Sequence, residues 1–171
     1  MRGGSKVVIE RAQLVEEIRA VLQEVKDPEI PSISIVELGM LDTVEVEGTK
    51  ARIQAKPTFV GCPALDIIKK NIVNAVIGLE GIDEVEVKYV YDPPWTTDSI
   101  SEGGKEKLKV YGIAPPPSEH TPGEPWHIDC PYCGSTYTTM ENIFGPTACR
   151  SILYCRSCKN PFEAMKPVAN I

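Results

Sequence analysis

Four cysteines in the last third of the chain have the spacing of a metal site. Cys130 and Cys133 form one C-x2-C pair, and Cys155 and Cys158 form a second pair after 21 intervening residues. Each pair can turn tightly enough to place two thiolates on one ion, and two pairs complete a closed tetrahedral shell of sulfur ligands. The pattern predicts a structural Zn²⁺ ion in a zinc ribbon, with a short hairpin between the two turns. Two disulfides, a redox C-x-x-C motif or an iron site are the alternatives.

A fifth cysteine, Cys62, lies outside this pattern, between a predicted strand and a predicted helix. Proline is favoured at the first helical position, so Pro63 predicts that Cys62 is the N-cap of that helix. The first-turn amides and the helix dipole would then lower the pKa of the thiol and enrich the thiolate, which is the nucleophilic and metal-binding form. Gly61 adds no side chain that would screen the sulfur. The alternative is a buried cysteine that packs as a small hydrophobe.

Other polar residues follow comparable junctions and are candidate members of the same site. Asp27 and Glu29 place two carboxylates in a proline-stiffened turn, although helix termination and solvated charge would also explain them. Trp95, Thr97 and Asp98 follow the third predicted strand, where packing and helix capping are the alternatives. Loops of a small sheet can meet at one edge, so these side chains are expected to approach Cys62.

The remaining cysteine and the histidines limit the chemistry further. Cys149 lies six residues before Cys155 and fits neither C-x2-C turn, so it is a cluster ligand, a redox thiol or filler behind the zinc site. His120 and His127 are expected to belong to the linker and to the start of the ribbon rather than to a metal site. A thiol enzyme needs a base beside its cysteine, and neither histidine is placed to serve Cys62.

Apolar periodicity predicts an α+β domain that positions these residues, with the order α-β-β-α-β-α. In that order the predicted elements are a helix over residues 14–25 that ends at Asp27-Pro28, strands over 41–47 and 51–56 joined at Gly48-Thr49, a helix from Pro63 to Gly78, a strand over 85–91, and a helix whose capping box is Ser99 and Glu102.

A proline-rich segment divides the chain. Residues 114–125 contain five prolines in twelve positions, a composition that favours extended polyproline geometry over a ladder or a helix. The sequence therefore predicts an N-terminal domain over residues 1–113, a semi-rigid linker over 114–125 and the ribbon over 126–171.

Composition and charge exclude several classes of function. The 171 residues carry a net charge of −6; residues 1–125 hold 14 basic and 21 acidic side chains, and residues 126–171 hold four and three. The acidic body argues against a nucleic-acid groove, and the ribbon lacks a basic stripe. No apolar stretch approaches the roughly 18–20 residues that span a bilayer, and the first residues lack the apolar region of a signal peptide. With metal-spaced cysteines, these features predict a cytoplasmic protein that binds neither membranes nor nucleic acid.

Several segments together resemble a known family. The segments are residues 27–31 (DPEIP), 34–39 (SIVELG), 57–64 (PTFVGCPA) and 95–98 (WTTD). They resemble the small iron–sulfur assembly domain found in SufT and in the cytosolic Fe–S targeting factors. With residues 109–116 (KVYGIAPP) and the ribbon, the chain resembles the PaaD family of accessory proteins of phenylacetyl-CoA epoxidase, over about residues 10–166. The differences are Pro146, Arg150, Asn160 and Met165, where the family usually has serine, lysine, glutamate and an aromatic residue.

This resemblance implies a role in building or delivering an iron–sulfur cluster rather than in epoxidation itself. It implies that Cys62 is the assembly cysteine, that Asp27 and Glu29 form the carboxylate motif, and that the four metal-spaced cysteines are the ribbon ligands. Thr58 and Gly61, on either side of the Phe59-Val60 pair, are candidate supporting residues of Cys62. One thiolate cannot saturate a cluster, which normally has four protein ligands. A second Cys62 in a homodimer, Cys149, Glu29 or a cysteine of the client would have to complete the shell.

The expected partner is an iron–sulfur client protein, of which the reductase component of the epoxidase is the first candidate. The alternative is a non-catalytic scaffold, in which the ribbon and the acidic body hold other epoxidase components together and Cys62 only packs. A cluster chromophore after anaerobic reconstitution would distinguish the carrier from the scaffold.

Overall fold

The computed structural model of the protein describes residues 4–117 and 127–166, with side chains from residue 11 onward. Within these ranges the chain is α+β, which confirms the predicted class. Its elements are α1 (Gly4–Leu22), β1 (Leu41–Glu47), β2 (Lys50–Ala55), α2 (Leu65–Val76), β3 (Glu84–Tyr89), a 3₁₀ turn (Thr97–Ser99), α3 (Glu102–Tyr111), β4 (Ile113–Ala114), β5 (Thr138–Asn142), β6 (Arg150–Cys155) and β7 (Pro161–Met165). Most of the predicted linker, with His120, and the predicted first residue of the ribbon, Trp126, lie outside the described residues.

The chain divides into two compact units that are not contiguous in sequence. The first comprises Met1–Pro57 and Pro63–Pro93, and the second comprises Thr58–Cys62 and Pro94–Ile171. The short segment that ends at Cys62 therefore groups with the C-terminal half of the chain. Ile113 and Ala114, which flank the domain boundary predicted from sequence, both belong to β4. The predicted boundary itself stays a prediction.

The first unit is built on a three-stranded sheet with the order β1-β2-β3. β1 and β2 form the predicted antiparallel hairpin, in which Glu47 pairs with Lys50 around the tight turn at Gly48, whose φ is +61°. β2 and β3 are parallel, and α2 is the crossover between them. Alternate residues of the strands are buried, as the period-2 pattern predicts: Val44, Val46, Ala51, Ile53, Ala55 and Val87.

The helices of this unit pack through the predicted apolar stripes. Ile18 and Leu22 of α1 and Ile68, Ile72 and Val76 of α2 are all essentially inaccessible to solvent. A fully buried aliphatic side chain of this kind contributes roughly 1.5–3 kcal/mol relative to its exposed state. These buried stripes form part of the hydrophobic core of the first unit.

Two predicted boundaries in the first unit are wrong. α1 ends at Leu22 rather than at Asp27-Pro28, because the chain then turns so that the amide of Ile35 donates to the carbonyl of Val25 at 2.9 Å. Tyr91 lies beyond the end of β3 at Tyr89, and half of its surface is exposed. At both boundaries the apolar period of the sequence continues past the last residue of the element.

The second unit contains a four-stranded sheet with the order β4-β7-β6-β5. β4 is parallel to β7, and the other pairs are antiparallel. The β5–β6 hairpin lies between the two cysteine pairs, as the 21-residue gap predicts. One side of this sheet forms a small core that includes two of the predicted ligands: Ala114, Ile128, Cys130, Leu153, Cys155, Phe162 and Ala164.

The helix α3 immediately precedes this sheet. Its N-cap is Ser101, whose hydroxyl accepts a hydrogen bond from the amide of Gly104 at 3.0 Å. The predicted capping box of Ser99 and Glu102 is wrong, because Ser99 belongs to the preceding 3₁₀ turn. The helix ends at Gly112, which adopts a left-handed conformation with φ 89° that a side chain would disfavour.

Within the described ranges, no helix combines the length and the apolar character that crossing a membrane requires.

Candidate functional site

The four cysteines predicted to bind metal converge on one point. The sulfur atoms of Cys130, Cys133, Cys155 and Cys158 all lie within 4.8 Å of one another. Cys130 Sγ is 3.7 Å from Cys158 Sγ, and Cys133 Sγ is 3.6 Å from Cys155 Sγ. With metal–sulfur bonds of about 2.3 Å, neighbouring sulfurs of a tetrahedral site are about 3.8 Å apart. The four side chains therefore fit a single tetrahedral ion.

The same separations argue against disulfides and against an iron–sulfur cluster at these cysteines. A disulfide needs a sulfur–sulfur distance of about 2.05 Å, and none of the four forms one. An iron–sulfur cluster distributes its thiolates over two or more irons, which spreads the ligands more widely than these four. The arrangement is that of a metal-binding site with four thiolate ligands, called the four-cysteine site below.

The two turns that carry the ligands are built alike. In each, the residue four positions after the first cysteine donates its amide to the carbonyl of that cysteine: Gly134 to Cys130 and Lys159 to Cys155, both at 2.9 Å. The hydroxyls of Ser135 and Ser157 are 2.7 Å apart and join one turn to the other. The backbone thus holds both pairs in position, which reduces the ordering that an ion would have to impose.

The ligands differ in burial and in acidity. Burial raises the pKa of the Cys130 thiol to about 12. The backbone amide of Cys158 donates to Cys155 Sγ at 3.5 Å and lowers the pKa of the Cys155 thiol to about 6. A metal ion binds the thiolate form, so it must displace the proton from Cys130. Cys133 is exposed, so one corner of the site faces solvent.

Cys62 does not occupy the predicted helix N-cap. α2 begins at Leu65, and its N-cap is Ala64, which already has helical dihedral angles (φ −79°, ψ −8°). Pro63 and Ala64 instead form a turn, so the sulfur belongs to a loop before the helix rather than to its first turn. The predicted N-cap position is therefore wrong, and the sulfur lies outside the first turn, where the effect of the helix dipole is strongest.

The loop around Cys62 reaches the surface. Cys62 is half-buried, its neighbours Gly61 and Pro63 are at least partly exposed, and Val60 is 59% exposed. The amide of Cys62 donates to the carbonyl of Phe59 at 3.2 Å, which closes a tight turn. Gly61 has a steric role as well, because a Cβ there would lie 3.2 Å from the Phe59 ring.

The predicted supporting residues divide between the two units. Thr58, Trp95, Thr97 and Asp98 all belong to the second unit, with Cys62. Thr58, Trp95 and Thr97 are buried, and Asp98 is exposed. Asp27 and Glu29 belong to the first unit.

Asp27 has a clear local role. Its side chain is buried, and Oδ1 accepts hydrogen bonds from the amides of Glu29 at 2.8 Å and Ile30 at 2.9 Å. This carboxylate therefore organises the turn that presents Glu29, whose own side chain is half-buried. Asp27 thus has a structural role in the turn that contains Glu29 and Ile30.

A second capped turn follows, and the sequence analysis missed it. The hydroxyl of Ser34 accepts from the amide of Glu37 at 3.1 Å, and Glu37 Oε2 accepts from the amide of Ser34 at 2.9 Å. These reciprocal hydrogen bonds have the pattern of a capping box, here on a turn rather than on a helix, and the S-x-x-E spacing is visible in the sequence. Within residues 34–39, one of the segments that resemble the family, Ser34 and Glu37 thus serve to close a turn.

Cys149 is not filler behind the four-cysteine site. It directly precedes β6, whereas Cys155 ends that strand six residues later, a separation of about 20 Å along an extended chain. Cys149 is buried, and its sulfur lies 3.2 Å from Thr147 Oγ1. Thr147 Oγ1 also accepts from Arg150 Nε at 2.8 Å, in a small polar network that sequence reasoning missed. His127 is exposed and is not in the group of metal ligands found among the described residues.

Comparison with known proteins agrees with this architecture. Residues 15–89 match the family model described as iron–sulfur cluster assembly protein, and residues 114–166 match the PaaD zinc beta ribbon domain. A protein of Bacillus subtilis strain 168 named Fe-S protein maturation auxiliary factor YitW is 35% identical over 57% of this chain and 95% of its own. The crystal structure of a domain of unknown function, DUF59, from Bacillus anthracis superposes with a TM-score of 0.57 at 28% identity, over 60% of this chain and 98% of that one.

The fold and the four-cysteine site thus define a protein in which an iron–sulfur assembly domain precedes a zinc ribbon. A protein of Escherichia coli strain K12, named as one of the subunits of 1,2-phenylacetyl-CoA epoxidase, is 39% identical over 89% of this chain and 92% of its own length. The chain belongs to the PaaD family.

Proposed function

We propose that the protein is an accessory factor that binds iron or an iron–sulfur cluster through Cys62 and delivers it to a client protein. The observation that carries this proposal is the position of Cys62 in a loop that reaches solvent. Its relative in Bacillus subtilis is named a maturation factor, not a catalyst, which supports a carrier rather than an enzyme.

The chemistry of the proposed site depends on incomplete ligation. The Cys62 thiolate supplies one ligand, whereas a cluster normally has four. Glu29, Cys149, a second copy of Cys62 or a cysteine of the client would supply the others. A cluster held by few protein ligands dissociates readily, which suits transfer.

The four-cysteine site has a different role in this proposal. The four thiolates hold zinc in a closed shell that leaves no position for a substrate, so the ion stabilises the fold. The identity of the metal is part of the proposal, because tetrahedral sulfur sites also accept iron. Cysteines that must stay reduced suit the cytoplasm, which is where the proposal places the protein.

The client belongs to the proposal as well. The Escherichia coli relative carries the name of an epoxidase component. We propose as the client the reductase component of such an epoxidase, which the family resemblance implies carries an iron–sulfur cluster.

Metal analysis of protein prepared without oxygen tests the binding step. We expect about one zinc per chain in the native protein and in Cys62→Ser, and iron or a cluster chromophore in the native protein alone. Cys149→Ser is measured in parallel: loss of iron in this variant as well would make Cys149 one of the completing ligands, and retained iron would exclude it from the shell. Equal iron in the native protein and Cys62→Ser would refute the proposal.

A transfer experiment tests the delivery step. Cells that produce the reductase with native protein should yield cluster-loaded reductase, and cells with Cys62→Ser should yield mostly the apo form. A fully loaded reductase in both would exclude delivery through Cys62. Stable co-purification with epoxidase components, without any cluster chromophore, would favour the scaffold instead.

A further inference from the structure

We propose that the metal ion of the four-cysteine site acts as a clamp on α3, and thereby controls the order of the segments that surround Cys62. The link to Cys62 rests on the proposed function, whereas the clamp on α3 does not. All the residues involved belong to the second unit.

The first connection runs through the backbone. α3 ends at Gly112, and β4 follows without a linker. β4 pairs with β7, with Ala114 opposite Ala164. Ala114 also packs in the small core that contains the ligands Cys130 and Cys155. The C-terminal end of α3 is thus fixed to a strand whose packing depends on the metal ligands.

The second connection is a side chain inside the first metal-binding turn. Tyr132 lies between Cys130 and Cys133, and its hydroxyl oxygen would be 3.3 Å from a Cβ built on Gly112. The phenol therefore rests against the left-handed residue that ends α3. Tyr132 lies in the turn between two of the ligands, so loss of the ion releases the cysteines on both sides of it and should weaken this contact.

The other end of α3 leads towards the proposed cluster site. Ser101 caps the helix directly after the 3₁₀ turn that contains Thr97 and Asp98. These residues, Trp95 and the segment Thr58–Cys62 are grouped in the same compact unit as α3. A displacement of α3 would therefore be transmitted to the residues proposed to support Cys62.

We expect the metal to contribute a large share of the stability of this arrangement. The core of the sheet consists of seven residues, and two of them are ligands. Small domains of this kind draw much of their folding free energy from the bound ion. Loss of the ion therefore removes the anchor of β4 and of Tyr132 together, while the first unit keeps its own core.

Hydrogen exchange of the full chain tests the clamp. The metal-loaded protein is compared with the same protein after removal of the ion by a chelator. We expect exchange of the α3 amides to accelerate at least about tenfold, and exchange in segments 58–62 and 94–101 to rise with it. The helix α2 and strand β2 of the first unit should change less than about twofold. Unchanged protection of α3 after metal loss, or an equal loss of protection in α2, would overturn the proposal.

A pair of tyrosine variants tests the contact between Tyr132 and Gly112 while the metal stays bound. Tyr132→Ala should accelerate exchange of α3 while the metal content stays at about one ion per chain by mass spectrometry. Tyr137→Ala is the matched control, since Tyr137 directly precedes β5 and is 63% exposed. Equal exchange of α3 in the two variants would contradict the role of Tyr132.

The alkylation rate of Cys62, measured by mass spectrometry of its peptide, separates this inference from the proposed function. The clamp predicts that the rate changes on metal removal even if Cys62 carries no cluster. If exchange of the α3 amides accelerates on metal removal while the alkylation rate of Cys62 stays constant, the metal acts on α3 alone. That result would refute the proposed effect on the segments around Cys62. Failure of iron binding by Cys62 would refute the proposed function and leave the exchange result intact.

Discussion

Gly134 and Lys159 occupy equivalent backbone positions in the two metal-binding turns, and both adopt the left-handed conformation. Their φ angles are 68° and 64°, and each donates its amide to the carbonyl of the first cysteine of its pair. Among the described residues, Lys159 is the one non-glycine residue with positive φ. The second turn therefore carries a backbone strain that glycine avoids in the first.

Alanine at these two positions should have unequal effects. Gly134→Ala should lower the free energy of unfolding of the metal-loaded protein by about 1–2 kcal/mol, because a Cβ disfavours the left-handed region. The loss is one of backbone conformation alone, since no atom lies within 4 Å of the added Cβ. Lys159→Ala replaces one strained residue by another and should change stability by less than about 0.5 kcal/mol. Urea unfolding of both variants measures the difference, and equal losses would contradict the argument.

The N-cap of α3 gives a second paired test. Ser101→Ala removes the hydroxyl that accepts from the amide of Gly104, and should destabilise the protein by about 1 kcal/mol. Ser99→Ala, at the cap position that sequence spacing predicted, should cost clearly less because Ser99 does not cap α3. Thermal or urea unfolding compares the two. A larger loss for Ser99→Ala would mean that the helix starts earlier than the structure indicates.

The two serines also show where sequence reasoning fails. Ser99 with Glu102 and Ser34 with Glu37 have the same S-x-x-E spacing, yet only the second pair forms the reciprocal hydrogen bonds of a capping box. The spacing permits these reciprocal hydrogen bonds, but tertiary packing determines the residue at which a helix begins. The same limit applies to Cys62, because Pro63 predicts a helix start at which Ala64, and not Cys62, is the N-cap.

Other features could be predicted because one local rule determines them. The C-x2-C spacing brings two sulfurs together in each turn, since each turn is closed by its own backbone, and the β5–β6 hairpin between the pairs brings the two turns together. The β1–β2 hairpin follows from alternation around a glycine turn. By contrast, β4 has two residues, too few to show any period, and the grouping of Thr58–Cys62 with the second unit leaves no trace in the sequence. The grouping depends on contacts between distant segments.

Arg150 supports a third prediction. Its side chain is 7% exposed, and it donates from Nη1 to Glu163 Oε2 at 2.6 Å and from Nε to Thr147 Oγ1. A lysine carries one compact ammonium and cannot reproduce this two-sided geometry. Arg150→Lys should therefore lower the free energy of unfolding by about 1–2 kcal/mol.

A surface arginine provides the comparison for that measurement. Arg52 is 44% exposed and pairs with Glu47 at 2.8 Å. Exposed pairs contribute little, so Arg52→Lys should change stability by less than about 0.5 kcal/mol. If the two substitutions had the same effect in urea unfolding, the buried hydrogen bonds of Arg150 would not add to the stability of the protein.

The charged face of the first sheet gives a prediction in acid. Hydrogen bonds from Lys88 and Lys50 lower the pKa of Glu86 from 4.5 to about 2. A carboxylate with a depressed pKa stabilises the folded state above its unfolded pKa, and this stabilisation is lost as the pH falls through the folded pKa. The contribution of Glu86 is therefore complete above about pH 4.5 and disappears towards pH 2.

The difference between the native protein and Glu86→Gln isolates this contribution. Acid also protonates the metal-binding thiolates, but all variants carry the same four cysteines, so that effect cancels in the difference. We expect unfolding curves between about pH 5 and about pH 2.5 to show a weaker pH dependence for Glu86→Gln than for the native protein. Glu45→Gln, on the same face of the sheet, controls for the loss of one negative charge. A high salt concentration should reduce the difference, because the groups are accessible to solvent. Superimposable pH profiles for the native protein and Glu86→Gln would show that the two lysines do not perturb Glu86 in solution.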